Sequence, residues 1–369
     1  MKRRIISLLA ALLVVVSVDA HSNIIDSLLR VYDDEIERAQ VYLDERQAHI
    51  DLLQQQPLSA RQQLELAELY RPYQSDSAIA CLYRVINTYP NYEKEAHVKL
   101  LYLFSSIGMF MDGLDLVDHV NSAPDSLRLI YYEAKNRLYT WASNNVKQPT
   151  KKKQFVSIGQ QYLDSMNQEA LLYSNVPIGM SAKIMRYRNQ GNYKAALEMS
   201  DSIFAIISQD THDYALYAYQ RYLIFKDMEL NESSLQWLIR SAIADVRCAV
   251  TDNGASWVLA NILYQQGEIE RANRYIEYSL SNVAFYNAPI RFVQINKLAH
   301  TITSAHYHWQ ISLSRKLRIA LGMTVSVLVL LVLVFTYTIH QNFALRRLSR
   351  KQKKLNMQLE LLSSKQQYY

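Results

Sequence analysis

The chain has 369 residues, 50% hydrophobic and 20% charged, with 40 Lys and Arg against 34 Asp and Glu for a formal net charge of +6. So apolar a composition excludes a disordered chain, and two Cys exclude a disulfide-dense scaffold or a four-cysteine zinc site. Only 8 Gly and 7 Pro punctuate this length, too few for the turns of a many-stranded barrel or sandwich and in keeping with long helices.

The first element is a leader. Lys2, Arg3 and Arg4 precede an uncharged apolar run, Ile5 to Val18, and Val18 and Ala20 stand at the −3 and −1 positions of a cleavage site. Residues 1–20 are predicted to be a signal peptide. The alternative is an uncleaved anchor helix, for which the run is short. No Cys follows the run, which excludes a lipoprotein anchor.

Residues 21–318 show helical periodicity and almost no alternating strand pattern. Prolines 57, 72, 90, 124, 149, 177 and 289 fall between amphipathic runs, where they are expected to end helices. One pattern recurs: a Gly or Asp, an aromatic or apolar residue two positions on, and a small residue three further. It is clearest at Gly191, Tyr193 and Ala196, returns at Gly267, Ile269 and Ala272, and is looser at Gly108, Phe110 and Gly113, with a degenerate copy at Asp76–Ala80. This resembles the turn between the two helices of a tetratricopeptide repeat (TPR), where Gly ends the first helix and the small residue lets the second pack close. The predicted class is all-α, a TPR-like solenoid of helical hairpins over residues 21–318. Such an array offers a surface for a protein or peptide. The 27 Tyr and 4 Trp either line that surface or fill helix–helix seams. In a linear array Cys81 and Cys248 lie several repeats apart, so no disulfide is expected between them.

A second apolar run, Ile319 to Ile339, carries no charge over the length a bilayer requires, and predicts a transmembrane helix over 319–339. Arg346, Arg347, Arg350, Lys351, Lys353 and Lys354 follow it at once. The near side carries only Arg315, Lys316 and Arg318, so the positive-inside rule puts the C-terminus in the cytoplasm. The +6 then resolves by segment. The leader carries three basic residues and one acidic, the tail seven and one, and the exported domain 30 and 32. The positive excess marks topology rather than nucleic-acid binding. Residues 340–369 read as a basic coiled coil, with Leu345, Leu348, Gln352, Leu355, Leu359, Leu362, Gln366 and Tyr369 alternating at spacings of three and four. A parallel homodimer is the first reading and a basic amphipathic helix lying on anionic lipid the second.

No phosphate-loop, dinucleotide-binding, zincin or nucleophile-elbow motif is present. His306 and His308 have no third ligand nearby. Lys151–Lys153 reads as a solvated loop, and Asp33–Asp34 as a solvent-facing helix turn. No catalytic residue, cofactor or metal is expected, and the chain is expected not to be an enzyme.

Several stretches carry a wider resemblance: Leu230–Leu238 with Ala242–Asp245, Leu259–Tyr264, Gly267–Glu268, Arg271–Ile276, Asn287–Arg291, and Leu69–Tyr70 with Tyr73–Ala78. Together they resemble a family of Bacteroides-type envelope proteins. The resemblance implies a signal peptide, TPR-like periplasmic helices, one transmembrane helix, and a cytoplasmic coiled coil leading to a regulatory, DNA-binding type of region. This sequence ends at Tyr369, where that region is expected to begin, so no transcriptional role falls on the residues present. The expected protein is a single-pass inner-membrane sensor or regulator that binds a protein or peptide in the periplasm. The alternative is a non-enzymatic envelope scaffold.

Overall fold

A computed structural model describes the backbone of residues 2–366 apart from 56, 174 and 253, and the side chains of 24–359 with the same three exceptions. The described residues form fourteen α-helices and no strand. They divide into two compact units, Met1–Ser304 and Ala305–Tyr369.

In the first unit a long helix, α1 (Lys2–Gln54), is followed by helices packed as consecutive hairpins. They are α2 (Ala60–Tyr70) with α3 (Ser75–Thr88), α4 (Glu93–Ile107) with α5 (Phe110–Val117), and α6 (Arg128–Asn145) with α7 (Pro149–Leu172). Then come α8 (Pro177–Asn189) with α9 (Tyr193–Phe204), α10 (His212–Asp227) with α11 (Asn231–Arg247), and α12 (Gly254–Gln266) with α13 (Ile269–Tyr286). The last helix, α14 (Pro289–Gln366), begins in this unit.

Local chemistry sets the starts. Ser59 and Gln62 form a reciprocal capping box at α2, and Thr211 and Asn192 accept from the first turns of α10 and α9. Pro149, Pro177 and Pro289 open α7, α8 and α14 rather than ending a helix. Proline's missing N–H costs nothing in a first turn, whose donors have no intrahelical partner. Lys151–Lys153 consequently lies in the first turns of α7, exposed but helical, and not in a loop.

Three hairpin turns carry a glycine at positive φ: Gly108 (87°), Gly191 (72°) and Gly267 (87°). Between α10 and α11 the same place is held by Glu229 at φ 59°, where a side chain costs about 1–2 kcal/mol. The degenerate copy at Asp76–Ala80 falls differently from its reading: the turn is at 71–74, Asp76 is inside α3, and the buried small residue is Ala78 while Ala80 is exposed.

The array does not stay linear. Its two ends meet. α1 packs along α11, and Tyr32, fully buried, sets its ring against Tyr275 at 4.7 Å and shares a hydrogen bond with Ser256. Asp33 does not face solvent: it pairs with Arg271 and Arg274, both at 3.2 Å, and accepts from the Tyr275 hydroxyl at 2.9 Å. Glu35 takes Arg247 at 2.7 Å and the Tyr42 hydroxyl at 2.5 Å. At the α2–α3 end, the Thr251 amide donates to the Pro72 carbonyl at 2.9 Å and Ser75 Oγ to the Tyr286 carbonyl at 2.8 Å. Arg46 of α1 caps α11 by donating to the Cys248 carbonyl at 2.6 Å. This closure brings residues 72–76 against 251 and 286–287, far nearer than a straight solenoid allows, yet Cys81 and Cys248 are both free. Burial pushes the Cys248 thiol up to about 11 and raises that of Cys81, so neither is primed to react.

The second unit consists of the remainder of α14. Its apolar stretch makes α14 the one helix among the described residues long and apolar enough to cross a membrane. None of that stretch is buried, which excludes a core helix.

Candidate functional site

The closure forms a half-open cavity of about 630 Å³. Its walls come from the α2–α3 turn (Arg71, Pro72), α4 (Tyr102, Ser106), α5 (Phe110), α6 (Arg137, Trp141), α10 (His212, Tyr219), α11 (Asp245), the α11–α12 turn (Asp252), α12 (Trp257), the end of α13 (Tyr286) and the first turn of α14 (Ile290, Arg291). No two adjacent repeats would make it; it exists because the ends meet.

Three guanidinium groups define its polar side. Arg71, the residue that ends α2, donates from Nε to Glu68 at 2.8 Å, and its carbonyl is held by the Tyr286 hydroxyl at 2.9 Å. Arg137 pairs with Glu133 one turn earlier, donates to Ser106 Oγ at 2.6 Å and lies 5.3 Å over the Tyr102 ring. Arg291 donates from Nε to Asp252 at 2.9 Å. Burial raises the Asp252 carboxyl against the opposing pull of Arg291, Arg137 and Arg71. The side chains of Arg71, Arg137 and Arg291 sit in the cavity wall and remain 33%, 37% and 30% exposed.

Opposite charge is muted. Burial, reinforced by Asp252, pushes the Asp245 carboxyl well above the usual carboxylate range; Asp245 is 6% exposed. Burial, then Arg71 and Arg46, pushes His212 down to about 3. Its Nδ1 stands 3.9 Å from the Asp245 carboxylate, too far for a hydrogen bond. His212 Nδ1 and Trp257 Nε1 are buried without a hydrogen-bond partner among the described residues. The apolar side is aromatic, with Phe110 and Trp141 stacked at 4.2 Å. Among the described residues no group of three or more His, Cys, Asp or Glu could hold a metal. What the cavity offers is charge, donors and ring faces: the means of binding.

The last helix is built into this wall. A Cβ placed on Gly108 would lie 2.4 Å from Ile290 Cβ, so the α4–α5 turn and the first turn of α14 approach as closely as only glycine permits.

The sequence model of the SusR N-terminal TPR domain matches residues 36–297. The chain belongs to this family. It is a Bacteroides-type TPR family, and TPR domains generally mediate protein–protein interaction. No curated protein matches the chain. The family match ends within α14, so the apolar stretch lies beyond it.

The repeat-turn, seam and topology residues singled out in the sequence lie outside the cavity, apart from the neighbourhood of Gly108, while Asp245, Ile290 and Arg291 of the resemblance stretches line it. Gly191 and Gly267 sit in open turns, Tyr193 is half-buried, and Ala196 and Ala272 are fully buried where paired helices touch. Leu345, Leu348, Gln352, Leu355 and Leu359 are exposed along α14, as are Arg346, Arg347, Arg350, Lys351, Lys353 and Lys354. The side chains of Leu362 and Gln366, all of Tyr369, and the leader's side chains lie outside the described residues. Asp245 and Arg291 lie in stretches that carry the family resemblance, but Arg71, Arg137, His212, Asp245 and Arg291 form no spaced motif, and only the fold gathers them.

Proposed function

We propose that the chain is a non-enzymatic, single-pass regulator of the inner membrane. Residues 1–20 direct export and are removed after Ala20, and the array of residues 21–318 stands in the periplasm and binds a protein or peptide. Residues 319–339 cross the membrane, and residues 340–369 pair two copies as a cytoplasmic coiled coil. Membership of a TPR family supports the binding role, and the charge-free run with its basic flank supports the span and its direction.

One observation carries the signalling part. Ile290 and Arg291, in the first turn of α14, are part of the cavity wall, and that same unbroken helix contains Ile319–Ile339 and the Leu345–Leu359 seam. A shift in how the array holds Arg291 therefore has a continuous helical route toward the tail. The test is tail-to-tail disulfide formation by Leu355→Cys in a Cys81→Ala, Cys248→Ala background, using the full chain in membranes under an added oxidant. Adding Arg291→Ala is expected to change the cross-linking rate several-fold. An unchanged rate refutes the coupling, and no cross-link in either chain refutes the pairing. If removing residues 341–369 leaves the cellular phenotype intact, a scaffold replaces the regulator.

A further inference from the structure

The three cavity arginines are arranged for more than holding the fold together. Arg71 engages Glu68 through Nε, and its forked Nη1 and Nη2 make no hydrogen bond among the described residues. A fork of two parallel donors matches the two oxygens of a carboxylate or phosphate, which a lysine ammonium does not. Arg291 likewise spends Nε on Asp252 and Nη1 on Gln294, leaving Nη2 without a partner among the described residues. Glu68 serves both Arg71 and Lys99, and Glu95 stands 4.0 Å from the same Lys99, so each of these cations has a carboxylate partner. Burial raises the Asp245 carboxyl and lowers His212, which disfavours charge on either. The remaining wall is flat and aromatic, from the stacked Phe110 and Trp141 to Trp257. A guanidinium fork left unfilled beside a flat aromatic face is what an anion-binding site supplies to its ligand in advance.

We infer that the internal cavity is a binding site for a small organic oxyanion, its carboxylate or phosphate on the Arg71 fork and its body against the Phe110–Trp141 face. This site is separate from the protein or peptide surface of the array and does not depend on it. With an oxyanion in place, Arg291 is drawn between the ligand and Asp252, which puts ligand occupancy in direct contact with the first turn of α14.

The probes are benzoate and phenyl phosphate, each against an uncharged counterpart of similar shape, benzamide and phenol. Binding to the full chain in lipid nanodiscs is followed by calorimetry, so no signalling readout enters. At least one anionic probe is expected to bind saturably while its neutral counterpart binds at least tenfold more weakly; which anion wins distinguishes a carboxylate from a phosphate ligand. Arg71→Lys keeps the charge and removes the fork, and is expected to weaken that anion about tenfold, ~1.4 kcal/mol. Arg71→Gln is expected to weaken it further. Equal binding of anionic and neutral probes overturns the inference, as does no binding of either anion up to its solubility. Anion binding unchanged in Arg71→Lys and Arg71→Gln also overturns it. Should Arg71→Gln fail to fold, Arg71→Lys decides alone.

Discussion

The place where the ends of the array meet and the middle of the array are held in different ways. At the closure, α1 contributes Leu29 and Tyr32 to a core shared with Leu238, Ile239, Leu259, Tyr275 and Ile302, all within 5% exposure, and ion pairs through Asp33 and Glu35 flank it. In the middle, α7 is the longest of the paired helices at 24 residues, yet it buries only Gly159, Met166, Glu169 and Ala170. Its cluster with α6 and α8 has four buried members, Leu129, Met166, Ala170 and Ala182. In a repeat array each unit is stabilised chiefly by its neighbours. Closure adds a second set of partners for the ends and none for the middle. Because apolar burial contributes roughly 25 cal/mol per Å² removed from water, the middle is the part of the array most easily opened.

That contrast can be broken most directly at Tyr32. Tyr32→Ala removes a fully buried ring and its contacts to Tyr275 and Ser256, and is expected to cost about 3–5 kcal/mol, as large aromatic truncations do. Met166→Ala, in the smaller middle cluster, is expected to fall at the low end of about 2–5 kcal/mol. Denaturant unfolding of the full chain measures both. If Met166→Ala costs as much as Tyr32→Ala, closure adds no special stability.

The glycine turns sharpen the same point. Gly191→Ala meets open space, so its cost is the left-handed backbone alone, about 1–2 kcal/mol. Gly108→Ala carries that cost and also drives a methyl into Ile290, where overpacking adds about 1–3 kcal/mol. Equal thermal shifts for the two variants would mean that α14 is not pinned against the α4–α5 turn.

The smallest effect lies in pH dependence at the cavity. His212, with its pKa pushed down to about 3, contributes stability that is complete above its ordinary value of 6.5 and is lost as pH falls. Asp245, pushed up from 3.8, has the opposite slope, its contribution being lost as pH rises. Between those ordinary values the two slopes oppose each other. Asp245→Asn removes one of the opposing contributions, so the variant is expected to lose stability more steeply than the parent as pH drops below 6.5. Unfolding midpoints at stepped pH values read this, and parallel profiles for parent and variant would refute it.

Much of the architecture was legible in the sequence because it depends on local periodicity. Helical spacing, scarce glycine and the Gly191–Tyr193–Ala196 pattern announce paired helices, since a helix terminus and a close helical contact are each decided within a few residues. The Glu229 turn was not legible. A left-handed glutamate has no sequence signature and is held there by the packing of α10 on α11. Asp33 reads as solvent-facing for the same reason, because its partners Arg271 and Arg274 lie in a different hairpin.

What the sequence by itself determined is the all-helical class, the repeat turns and the charge-free run of Ile319–Ile339, each a property of neighbouring residues. What only the tertiary structure decided is the closure and the cavity inside it. Arg71, Arg137 and Arg291 stand on different hairpins, and no periodicity records which surfaces of a solenoid will meet. That outcome depends on the curvature accumulated over every helix pair between them, and on the buried contacts of α1 that lock the ends together.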